Sequence, residues 1–127
     1  MILTANSTVA ELRNELERKR KKAQELQMNT KDPDEWAILN SLRWDLEDLD
    51  KDIYLNQFIK NNDTLAKLVG KIEDATTEAQ KVVKTIQEIE EALIDARTKL
   101  KSTSPMLDEI TIFLNEIEET MKAMKTQ

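Results

Sequence analysis

The run LAKLVGKIEDATTEAQKVVKTIQEIEEALIDARTKL, residues 65–100, decides the fold class. Leu65, Leu68, Ile72, Ala75, Ala79, Val82, Ile86, Ile89, Leu93, Ala96 and Leu100 recur at alternating spacings of three and four. That spacing brings the side chains to one face of an α-helix, whereas a half-buried strand would alternate every second residue. A strict seven-residue repeat held this long implies a left-handed supercoil around a neighbour. A helix over 64–102 would be roughly 55–60 Å long at 1.5 Å per residue. The flanking slots hold Val69, Thr76, Val83, Thr85 and Ala92 as well as charges. An apolar face that wide fits three or four helices around one core better than a two-stranded coil, whose flanks are mostly Glu and Lys.

Working outward, three more helices are predicted. The segment 8–29 opens on a capping box, Thr8 with Glu11, and continues with Val9, Leu12, Leu16, Ala23 and Leu26 at helical spacing. The segment 33–61 opens on Asp32–Pro33–Asp34–Glu35: an N-cap, a proline at the first helical position, and two acids on the helix dipole. Its seam is Leu39, Leu42, Leu46, Leu49 and Ile53, weakening at Asn56 and Lys60. The segment 105–125 follows the breaker STSP, residues 102–105, with Ser104 as cap and Pro105 at the first position. Leu107, Ile110, Leu114, Ile117, Met121 and Met124 fill its seam, flanked by Met106 and Phe113.

Composition agrees. One glycine and two prolines in 127 residues leave little material for tight turns. The expectation is an all-α chain: an elongated antiparallel four-helix bundle with coiled-coil heptad packing, the third helix much the longest. Residues 1–127 form one domain, with 1–7 a disordered N-terminus. Short connections make consecutive helices antiparallel. Because the lengths differ, either the third helix overhangs or a second copy covers its exposed part.

Much chemistry is excluded. There is no histidine and no cysteine, which removes the usual general base, thiolate nucleophiles, disulfides and the common zinc sites. A single glycine cannot make a phosphate-cradling loop. Adjacent acids such as Glu90–Glu91 and Glu118–Glu119 diverge by about 100° on a helix and do not converge on one atom. No catalytic residue, cofactor or metal is expected. The N-terminal stretch lacks the apolar run of a signal peptide, and no stretch is apolar enough to cross a bilayer. A cytoplasmic protein is the expectation, with signal-less export left open.

Two surfaces stand out. Arg18, Lys19, Arg20, Lys21 and Lys22 form a basic run in a chain of net charge −6, a candidate patch for an anionic partner. The run wraps most of the helix instead of lining one face, and no aromatic residue interleaves it, so nucleic acid is an unfavoured partner. Segment 32–63 holds nine acids and three bases, and a basic helix before an acidic one points to attraction within a hairpin, with the run opposite roughly residues 40–44. Lys19 falls in a core slot and marks a place where the core is thin or open. The second surface is Trp44, Tyr54, Leu55 and Phe58, apolar residues off the main seam of the second helix. This set either packs on another helix of the bundle or forms a partner surface, of which Trp44 and Phe58 would be the anchors. The expected function is a non-enzymatic protein–protein interaction module, a scaffold, adaptor or assembly subunit, self-association included. The alternatives are a secreted effector or membrane-active helical bundle, and a nucleic-acid-associated protein using the basic run.

Overall fold

The structure is a computed structural model that describes residues 3–4, 7–59 and 77–125, with side chains described outside 56–59 and 77–79. Four helices and no strand occur among the described residues: α1 (Val9–Asn29), α2 (Pro33–Ile59), α3 (Thr77–Lys99) and α4 (Leu107–Lys125).

The helix ends follow from local hydrogen bonds. Thr8 Oγ1 accepts from Glu11 N–H at 3.1 Å, and Glu11 Oε1 accepts from Thr8 N–H at 3.4 Å, which completes the capping box of α1. Thr30, extended at φ −85° and ψ 145°, ends α1 by donating its N–H to Leu26 O. Asp32 Oδ1 accepts from the N–H groups of Asp34 (2.8 Å) and Glu35 (3.1 Å) and so caps α2. The start of α4 differs from the sequence expectation. Ser104 N–H donates to Lys101 O, and Ser104 O accepts from Leu107 N–H. Ser104 Oγ also accepts from Met106 N–H at 3.2 Å. Two successive turns therefore occupy 101–107, and regular helix begins at Leu107, two residues after Pro105.

Cross-helix pairs show the directions. Arg13 pairs with Asp50 and Gln27 with Asn40, so α1 and α2 are antiparallel. Thr85 with Asp52, and Lys101 just after α3 with Asp32 just before α2, do the same for α2 and α3. Arg97 with Glu118 and Lys125 with Glu90 reverse α4 against α3. Each helix packs against two neighbours, with α4 touching both α3 and α1, which closes a ring around one core.

The expected seams form most of the core, except that Leu100 and Leu107, each expected in a seam, are only partly buried. Leu12, Leu16 and Leu26 of α1, the whole Leu39–Ile53 series of α2, and Val82, Ile86, Ile89, Leu93 and Ala96 of α3 are all buried. Ile110, Leu114, Ile117, Met121 and Met124 complete it, together with Phe113, which the sequence placed beside the seam. Full burial of such a side chain contributes about 1.5–3 kcal/mol, which is why seam residues, not helix propensity, hold the bundle together. Leu65, Leu68, Ile72 and Ala75 lie outside the described residues, and with them the expected extension of the third helix. Among the described helices α2 is the longest, at 27 residues. Leu3, expected within a disordered segment, is buried against this core, and Ser7 N–H donates to Thr4 O in a turn that leads into α1.

Candidate interaction surfaces

The surface of α2 follows from its seam. Leu46 faces the core, so a residue half a turn away faces outward. Trp44 is 52% exposed, and Tyr54 and Leu55 are also about half exposed. Trp44 and Leu55 are eleven residues apart and share one face about 16 Å apart, with Asp48 and Lys51 between them. Tyr54 is turned toward α1. Arg43 lies over the Trp44 ring at 5.3 Å, and Arg13 of α1 over the Tyr54 ring at 4.6 Å. Phe58 is on α2 by backbone, but its side chain lies outside the described residues. Thus no described helix covers Trp44 or Leu55, while Arg13 of α1 lies over one face of the Tyr54 ring.

The basic run is interleaved with acid. Arg18 pairs with Glu15 at 2.8 Å, Arg20 donates from Nε to Glu17 at 3.0 Å, and Lys21 and Lys22 lie 3.9 and 3.7 Å from Glu17 and Glu25. The hydrogen bond from Arg20 is the main reason the Glu17 carboxyl is held below the usual carboxylate range. These partners belong to α1 itself, not to residues 40–44. Attraction to α2 is carried mainly by Arg13 on Asp50, with Glu47 and Asp50 adding to the field that raises Arg20. Lys19 does sit at a thin place. Its side chain is 15% exposed and its Nζ lies 3.6 Å from Glu15 and 3.8 Å from Glu116 of α4. Leu3, Glu15, Lys19, Glu116 and Thr120 line a gap of about 190 Å³ where α1 meets α4.

Three features escaped sequence reasoning. Met28 (78% exposed) and Trp36 flank the turn between α1 and α2, and nothing in a helix-end pattern distinguishes them from tolerated surface residues. Glu35 reads as a simple dipole partner, yet it is 3% exposed. Its Oε1 accepts from Thr30 Oγ1 at 2.7 Å, while Oε2 has no hydrogen-bond partner among the described residues. It lines a cleft of about 490 Å³ between the two turns at this end of the bundle, with Thr30, Asp32, Lys101, Ser104 and Met106. Lys101 Nζ donates to Asp32 at 3.2 Å and latches those turns together. The Asp32 carboxyl is held below its ordinary range, chiefly by the Glu35 N–H, then by Lys101 and the Asp34 N–H. On the opposite flank of α2, burial, and then Asp48 and Glu88, push Asp45 up.

Among the described residues no group of three or more acidic side chains is arranged to hold a metal ion. No described helix is long and apolar enough to cross a membrane. No family model matches the chain, and no curated protein or solved structure does either.

Proposed function

We propose that this protein is a non-enzymatic protein–protein interaction module, a scaffold, adaptor or assembly subunit that presents the outer side of α2 to its partner. The carrying observation is that Trp44, Tyr54 and Leu55 stay half exposed and take no part in the core cluster of the described residues. Large aromatic side chains left in water on a rigid helix are the residue type that anchors binding surfaces. In the same proposal the described helices pack as a coiled coil and the setting is cytoplasmic. The carboxylates interleaved with Arg18–Lys22 weigh against nucleic acid, which needs cations free to replace counterions.

The test is site-specific photo-crosslinking in native cells. A photoreactive phenylalanine analogue replaces Trp44 or Leu55 in one set, and Ile94 or Ile112, exposed single residues on α3 and α4, in the other. Discrete protein adducts from 44 and 55 but not from 94 and 112 are expected. Equal labelling from all four positions, or none from α2, refutes the reading.

A further inference from the structure

Outside the core, α1 and α2 each carry a second stripe with alternating spacings of four and three. On α1 it is Ala10, Asn14, Glu17, Lys21, Gln24 and Met28. On α2 it is Trp36, Asn40, Arg43, Glu47, Asp50 and Tyr54. None of these residues is buried. Each stripe is about 27 Å long. Both flank one surface: Arg13 crosses from α1 to Asp50 and the Tyr54 ring, Gln27 crosses to Asn40, and a groove of about 310 Å³ runs along Ala10, Asn14, Glu17 and Asp50. Interpolating between the Arg13–Asp50 and Gln27–Asn40 contacts sets Lys19 level with Asp45 or Leu46, so the midpoints of the two stripes coincide.

Four charges of the two stripes are antisymmetric about that midpoint, while Asp50, already paired with Arg13, has uncharged Asn40 as its counterpart. Lys21 and Arg43 lie just to one side, Glu17 and Glu47 just to the other. Met28 and Trp36 mark one end, Ala10 and Tyr54 the other. We propose that this face is a self-complementary docking surface whose partner is a second copy of this chain. The inference rests on the reading of the protein as an interaction module and names its partner. A two-fold axis lying in the face, across the helices, sets each helix antiparallel on its own copy. Lys21 then meets the partner's Glu17, Arg43 meets the partner's Glu47, and Trp36 meets the partner's Tyr54. A two-fold along the helices would instead put Arg43 on the partner's Lys21 and Glu47 on the partner's Glu17. Charge therefore selects the first arrangement.

Within one chain Glu17 also accepts from Arg20 at 3.0 Å and Arg43 donates to Asn40 at 3.2 Å, contacts that compete with the exchange; Lys21 is the least engaged of the group. Lys21 is 70% exposed, and its pair with Glu17 is long at 3.9 Å. Stripes about 27 Å long on helices roughly 10 Å apart cover about 500 Å² per copy, or about 1,000 Å² in total, below the standard interface size. The dimer is therefore reversible, and its charged centre makes it weaken as salt rises. Trp44 and Leu55 lie about a quarter-turn further round α2, at the rim.

Sedimentation equilibrium on the whole chain, from low micromolar to several hundred micromolar, tests this with Arg43→Glu, Glu47→Arg and their equimolar mixture. The wild type is expected to dimerise. Either single reversal should weaken the dimer about tenfold or more, because symmetry repeats each clash. Mixing the two variants should restore association, since each then offers the charge the other lacks. Circular dichroism verifies that each variant is folded. A wild type that stays monomeric overturns the inference, while adducts with another protein at position 44 would leave the interaction-module reading standing. A dimer indifferent to both reversals, or one the mixture fails to restore, also overturns it.

Discussion

Replacing Lys19 by leucine should stabilise the bundle, and the structure says by how much and on what condition. Lys19 occupies a core slot between Leu16 and Ala23, and its side chain is only 15% exposed. Its ammonium pairs with Glu15 and Glu116 at 3.6 and 3.8 Å, both beyond hydrogen-bond length. Such pairs are worth at most about 1 kcal/mol. Glu15, 7% exposed, keeps a closer partner in Arg18 at 2.8 Å. Leucine removes a partly desolvated charge and fills some of the gap beside Leu3 and Thr120. A fully buried leucine contributes about 1.5–3 kcal/mol, of which the lysine stem already supplies about half by its methylenes. The net gain is about 1 kcal/mol, or roughly 4 °C in Tm for a chain of this size. Urea unfolding followed by far-UV circular dichroism at pH 7 measures it. The condition is Arg18. In an Arg18→Ala background, Lys19→Leu strips Glu15 of both cations placed on it, and the same change should then destabilise by about 1–2 kcal/mol. Unchanged or lowered stability for the single variant, or the same sign in both backgrounds, refutes this account of the α1–α4 seam.

Leu46→Ala should cost about 2–5 kcal/mol, because its fully buried side chain leaves a cavity, while Trp44→Ala two residues away should change unfolding by no more than about 0.5 kcal/mol. Similar losses in urea melts would mean that Trp44 is part of the core. Asp45 has a raised folded pKa, so its contribution is most favourable below the unfolded value of about 3.9 and is lost as pH rises through the folded value. Asp45→Asn is therefore expected to raise Tm at pH 7 and to have little effect near pH 3; a lower Tm at pH 7 would contradict the burial and the repulsion from Asp48 and Glu88. Asp32 has a lowered folded pKa, so its contribution is present above about pH 3.9 and fades as pH falls through the folded value. Asp32→Asn should flatten the acid limb of the stability curve, and an unaltered limb would show that the cap and the Lys101 latch do not couple to folding. Thr8→Ala should cost about 1 kcal/mol by opening the capping box, with amide exchange rising at Glu11 before it rises deeper in α1.

Local hydrogen bonds and tertiary packing decide different features of this bundle. Thr8 with Glu11, and Asp32 ahead of Pro33, could be recognised as helix starts because a cap is a hydrogen bond between residues two or three apart. The seams Leu39–Ile53 and Val82–Ala96 were legible because a helix converts spacing into a face without reference to anything outside it. The same locality explains why Lys19 could be singled out as a misfit in a core slot. The start of α4 was misplaced by two residues because Ser104 takes part in two turns, a choice made by Lys101 and Met106 on either side. What lay off the seam was undetermined by the sequence. Phe113 is buried and Trp44 exposed, though both are aromatic residues beside an apolar stripe. Glu35 is buried because two turns close over it, and the stripes on α1 and α2 become one face only when Arg13 and Gln27 set the register between the helices. Spacing along one helix carries no information about which neighbour covers its flanks. That is decided by packing between segments distant in sequence, and here, among the described residues, it leaves Trp44 and Leu55 of α2 half exposed.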